Sequence, residues 1–164
     1  MDARTQHVVP VLELSPAAFA PYGEVIEPKL RGGQFDRGYE ADDPQLTVTN
    51  GEPMLRIMRL QRRGLVFSKI ARHRRVTQCL GALGGKDWFL AVAPPDTNAA
   101  APRLEDIVGF HIPGDRIVKL HLATWHAGPH FVHDEALFLN LENRDTNSRD
   151  FEGAALPAEC RLNV

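Results

Sequence analysis
Short apolar runs alternate with polar positions along most of this chain, and glycine, proline, asparagine and aspartate punctuate them. Val8 to Leu14 reads as a strand. Ser15-Pro16 then opens a helical turn, because serine caps free amides and proline suits the first helical position. Pro21-Tyr22-Gly23 closes that turn, and Glu24 to Glu27 alternates as a strand does. Pro28 to Pro53 is rich in breakers; a structureless loop of that length is unusual, so Gln34 to Tyr39 or Leu46 to Thr49 is expected to form short strands. Met54 to Leu60 alternates again, and Leu65 to Ile70 leads into a polar cluster. Trp88 to Ala93 is an almost unbroken apolar run stopped by Pro94-Pro95, as in a strand buried on both faces. Val118 to Leu122 and Ala136 to Leu141 complete the strand candidates. Gly81 to Lys86 and His111 to Asp115 read as turns, Asn143 to Asp150 as a polar loop, and the C-terminus shows little periodicity. Many short strands with one or two short helices predict a mainly β protein, a barrel or double-sheet jelly roll, in one domain spanning residues 1–164.

Composition narrows the functional classes. The chain has 164 residues, an apolar fraction of 43% and a formal net charge of -2, so nothing draws it to nucleic acid or an anionic membrane surface. Arg62, Arg63, Lys69, Arg72, Arg74 and Arg75 form a local basic stretch, but stacking aromatics are missing from it. Cys79 and Cys160 lack zinc-like spacing and fit a reduced compartment. The first residues lead into no apolar segment, and no run is long enough to span a bilayer, so a cytoplasmic location is expected.

Candidate chemistry sits in two polar clusters at the ends of apolar strands, Arg72-His73-Arg74-Arg75-Val76-Thr77-Gln78 and Thr124-Trp125-His126. Such groups are costly to bury unless partnered, and a barrel with a polar mouth would accommodate them. Two histidine-bearing strand ends separated by a glycine turn and a buried strand resemble the two motifs of a cupin. On that pattern the four metal-ligand positions fall on His73, Arg75, Gln78 and His126. Arginine cannot ligate and its charge repels a cation, whereas it clamps a carboxylate with two hydrogen bonds. The set therefore suits a small organic acid better than a dication; no cofactor is required by it, and room remains for a loosely bound nickel or manganese ion. Gln78 has the wrong strand parity to share a face with His73 unless a bulge intervenes.

The order of several segments then resembles the ureidoglycolate lyase family. They are Phe19-Ala20-Pro21-Tyr22-Gly23-Glu24-Val25-Ile26-Glu27, Arg72-His73 with Thr77-Gln78, Val92-Ala93, Phe110, Thr124-Trp125-His126, and Phe138-Leu139 followed by Glu142. Ala71 stands where the family carries an acidic residue, Ala127-Gly128 where it continues with histidine and proline, and Asn147-Ser148-Arg149 where it has an Asp/Asn-Cys stretch. The resemblance implies a cupin-like jelly-roll barrel, a homodimer, and cleavage of (S)-ureidoglycolate to glyoxylate and urea. His73 and His126 would exchange the two protons that this reaction moves, in an order left open. Gln78 would hold the ureido group, and Arg75 or Arg72 the carboxylate. Lys119 and His121, which share a strand face, are further candidates for substrate binding. Two alternatives remain: a metal-dependent cupin dioxygenase or isomerase, and a non-catalytic cupin that binds a small acid.

Overall fold
The computed structural model describes residues 6–29, 43–48, 51–95 and 100–164. Eleven strands are present among them: β1 (His7–Glu13), β2 (Gly23–Ile26), β3 (Pro53–Gln61), β4 (Val66–Arg72), β5 (Gln78–Leu83), β6 (Gly85–Ala93), β7 (Val108–Gly114), β8 (Ile117–Leu120), β9 (Trp125–His130), β10 (Glu135–Asn143) and β11 (Glu152–Asn163). Two short helices, α1 (Pro16–Phe19) and α2 (Thr146–Arg149), interrupt them. Helix α1 forms as the sequence predicts, with the Ser15 hydroxyl accepting from the Ala18 amide at 3.2 Å and Pro16 in the first turn.

Six strands close into a barrel in the order β1-β11-β4-β9-β6-β7, and five form a sheet in the order β2-β8-β5-β10-β3. This is the jelly-roll-like, mainly β architecture that the strand pattern predicts. Strand β6 explains how the two layers share a core. Trp88, Leu90 and Val92 project into a cluster shared with Leu80, Val118 and Phe138 of the five-stranded sheet. Ala91 and Ala93, of opposite parity, join Val9, Trp125, Cys160 and Leu162 of the barrel strands. Residues of both parities are buried, so the apolar run is continuous instead of alternating.

Several expectations are corrected. Gly81 lies within β5, in register with Ile117, and the turn is made by Gly84 and Gly85, both at positive φ where a side chain would be strained. Strand β7 continues through Pro113 to Gly114. The C-terminal stretch is a strand of 12 residues, β11, whose alternating burial was masked by alanines and by Pro157. The Asn143 to Asp150 loop contains α2. Leu46 to Val48 forms no strand, although the Thr47 carbonyl accepts from the Thr77 amide and the Thr47 amide donates to the Thr77 hydroxyl; Thr49 and Gln34 to Tyr39 lie outside the described residues. Among the described residues no helix is long and apolar enough to cross a membrane.

Candidate active site
A cavity of about 800 Å³ opens between the two layers. Its barrel-side wall carries His73, just beyond β4, and His126 on β9. The opposite wall belongs to the five-stranded sheet and presents Gln78 from β5, Asn140 and Glu142 from β10, and Arg56 and Met58 from β3. The site therefore lies between the sheets and not in the mouth of the closed barrel.

Strand register brings the histidines together. His126 pairs with Ala71 on one side and Val92 on the other, which aims it toward the inter-sheet space as Val92 is aimed. His73 follows Ala71 by two residues and shares its parity. The ring centroids are 5.1 Å apart at an interplanar angle of 54°. Each ring is fixed through Nδ1 to a backbone carbonyl: His73 to Asp150 O at 2.7 Å, and His126 to Thr124 O at 3.1 Å. A carbonyl only accepts, so each Nδ1 carries a proton and each Nε2 is left facing away from that bond, the nitrogen through which the ring can take or give a second proton. Asp150 holds the turn as well, its carboxylate accepting from the Arg74 and Arg75 amides at 2.8 and 2.9 Å. Burial, and secondly the charge of a protonated His73 beside it, push the His126 pKa down to about 4, against a weaker upward pull from its Thr124 bond.

Gln78 faces this pair from the other sheet. Its Nε2 donates to Asn140 Oδ1 at 3.0 Å and Glu142 Oε2 at 3.3 Å, while its Oε1 is buried without a partner among the described residues. The parity conflict with His73 dissolves because residues 74–77 carry the chain from one layer to the other, so the two side chains never share a strand. Asn140 and Glu142 are 3% exposed and follow Ala136 and Phe138 on the buried parity of β10. That polar substitution on an apolar face was the signal available in the sequence for Asn140, whereas Glu142 stood out there only through the resemblance.

The other predicted binding residues lie elsewhere. Arg72 is 1% exposed and points to the barrel side, its guanidinium carbon 4.2 Å from the Trp125 ring centroid and Nη2 2.6 Å from Glu152 Oε1. With Arg74 at 2.7 Å from the same carboxylate, these guanidiniums hold Glu152 well below the usual carboxylate range. A depressed carboxyl pKa contributes stability above its unfolded value, and that contribution is lost as acid brings the pH down through the folded pKa. The Arg75 side chain is exposed and does not line the cavity. Lys119 is buried against Glu24 and Gln45 O, and His121 bonds Ala20 O at 3.1 Å beside a separate pocket. His130 is buried on β9 and borders the cavity; burial pushes its pKa down to about 4.

Among the described residues no group of three or more His, Cys, Asp or Glu side chains is placed to hold a metal ion. The Gln78 amide is committed to Asn140 and Glu142 instead of standing with the two histidines. The residues present therefore do not form the four-ligand cupin set.

A dTDP sugar isomerase from Desulfovibrio desulfuricans G20 gives a TM-score of 0.45 at 17% identity, covering 84% of this chain and 83% of that one. RmlC from Streptococcus suis, in complex with dTDP-D-xylose, gives 0.38 at 9%, covering 56% and 44%. In sequence, the chain is 28% identical over 143 residues to a ureidoglycolate lyase from Azotobacter vinelandii (strain DJ), covering 82% of this chain and 84% of that protein. The family model described as Ureidoglycolate lyase matches residues 6–163. Matched over nearly its whole length, the chain belongs to the ureidoglycolate lyase family.

Proposed function
We propose that this protein cleaves (S)-ureidoglycolate to glyoxylate and urea, a carbon–nitrogen lyase reaction of the amidine-lyase type. The observation that carries this reading is the imidazole pair of His73 and His126 at 5.1 Å, facing the Gln78–Asn140–Glu142 wall across one cavity.

The reaction breaks the bond between the hydroxyl-bearing carbon and the ureido nitrogen. The hydroxyl loses its proton as the carbonyl of glyoxylate forms, and the departing nitrogen gains one to become urea. His126 is held neutral by its surroundings and takes the hydroxyl proton through Nε2. His73 enters the cycle with Nε2 protonated as well as Nδ1, and gives the Nε2 proton to the leaving nitrogen. One proton is taken and one given, so the pair carries the same total charge before and after turnover. Gln78 and Glu142 offer acceptors to the ureido N–H groups, which are donors in substrate and product alike.

A base with its pKa near 4 sets the acid limb of the pH profile. Such a group works only when unprotonated, so the acid-side fall of kcat/KM is expected as pH drops through about 4 and not before. Initial rates with circular dichroism at each pH check this. A limb near the ordinary histidine value of about 6.5 would remove His126 from the role of base.

The direct test is stoichiometry. Chelator-treated protein given (S)-ureidoglycolate is expected to release glyoxylate and urea in equal amounts without ammonia. Turnover that appears only after nickel or manganese is added would favour the metal-dependent alternative. Specific ligand stabilisation with no product would favour a binding protein. The homodimer implied by the resemblance is supported by Leu55 and Ile57, each 64% exposed on β3 at the end of the five-stranded sheet. Sedimentation equilibrium reads it directly.

A further inference from the structure
Arg72 and Arg75 do not line the cavity, whereas Arg56 and Arg63 do. Arg56 lies on β3 with Met58 and Leu60 on the parity that faces the cavity. Its register partner on β10 is Asn140, which accepts from the Gln78 amide. β10 lies between β3 and β5 and pairs Asn140 with Leu80, so Arg56 and Gln78 stand two strand spacings across and two residues along the sheet, roughly 12 Å between backbones, a gap that a long arginine side chain narrows.

The partners of Arg56 set it apart from Arg59, Arg62 and Arg144. Arg59 and Arg62, just beyond it in the chain, are within 3.5 Å of Glu135 and 2.6 Å of Asp134. Arg144 is 3.1 Å from Glu52. Arg56 contacts no carboxylate among the described residues; its Nη2 lies 3.0 Å from the Met54 thioether, a weak acceptor. A guanidinium carries five donors in a planar fork that matches a carboxylate, so one left with a thioether at a cavity rim has donors to offer an incoming anion. Lys69 and Arg63 also border the cavity and add positive potential there.

We propose that Arg56 is the carboxylate anchor of this cavity and that it fixes the direction in which a small 2-hydroxy acid lies. The inference rests on the functional reading above for the identity of the rest of the ligand, but not for the anion itself. The carboxylate sits at the rim on Arg56, and the substituent on the hydroxyl-bearing carbon points inward to Gln78 and Glu142. The hydroxyl then faces His73 and His126 from the sheet wall. A neutral amide in place of the carboxylate loses the charge that this anchor reads.

Calorimetric titration with glycolate, an unreactive 2-hydroxy acid, and glycolamide, its neutral counterpart, tests the anchor without turnover. Wild-type protein is expected to bind glycolate at least tenfold more tightly than glycolamide. Arg56→Met is expected to weaken glycolate at least tenfold and to leave glycolamide unchanged, with partial recovery in Arg56→Lys. Arg59→Met, which removes the same charge from the opposite face of the same strand, is expected to change neither. The inference is overturned if Arg56→Met, shown folded by its melting curve, binds glycolate within twofold of wild type, or if wild type does not prefer glycolate. Loss of glycolate binding in a protein that never cleaves ureidoglycolate would keep the anchor and reject the reaction. Normal cleavage with an unchanged KM in Arg56→Met would do the reverse.

Discussion
Replacing His126 with alanine is expected to lower kcat for ureidoglycolate by about 10²- to 10⁴-fold, the usual range for a positioned acid or base, with little change in KM. The ring takes part only as the hydroxyl proton leaves, so its removal raises the transition state and leaves the ground-state complex almost as it was. The fold should survive. His126 is half-buried at the cavity wall, its ring hydrogen-bonds a carbonyl two residues away, and its strand is held by backbone pairing to β4 and β6. A loss of about 1 kcal/mol would lower the melting temperature by about 2–4 °C in a chain of this size. Steady-state kinetics beside a thermal melt separates the two effects. A variant with near-wild-type kcat would exclude His126 from the chemistry.

The largest effect on stability is expected at Arg72. Its guanidinium lies over the Trp125 ring and bonds Glu152, and the residue is 1% exposed. Arg72→Ala removes the stacked plane, opens a void beside a fully buried tryptophan, and deprives Glu152 of one of two guanidinium partners. Together these are expected to cost about 3 kcal/mol, lowering the melting temperature by about 6–12 °C. Lysine should restore little, because an ammonium neither stacks on the indole as a plane nor forks onto a carboxylate. The expected signature is a shifted denaturation midpoint with a nearly unchanged KM. An Arg72→Ala protein as stable as wild type, with KM raised tenfold, would mean that this guanidinium reaches the substrate after all.

The fold was legible wherever burial imposes a simple pattern. Met54 to Leu60 and Ala136 to Leu141 alternate because one face of each strand is more buried than the other, and Trp88 to Ala93 does not alternate because both faces are buried. Strand β11 escaped notice because alanine, glycine and proline carry almost no strand signal of their own; its pairing with β4 and β1 makes it a strand. The two histidines could be nominated from their positions at strand ends, but which arginine accompanies them could not. Arg72 and His73 are adjacent in sequence and so face opposite sides of the layer, one toward Trp125 and one toward the cavity. Arg56, far from either cluster in the chain, reaches the cavity through the register of β3 with β10, a tertiary fact that no local pattern encodes. Strand β9 runs on through Gly128-Pro129 to His130, a dipeptide that carries no strand signal of its own.

The central claim is that the two imidazoles work as one unit. Groups that hand protons to the same bond are strongly non-additive when removed together, whereas independent contributions multiply. The decisive measurement is kcat for His73→Ala, His126→Ala and the double variant, on the same preparation of (S)-ureidoglycolate. Joint action of the two rings predicts that the double variant is about as slow as the slower single one. A double variant slower by the full product of the two single losses would contradict it.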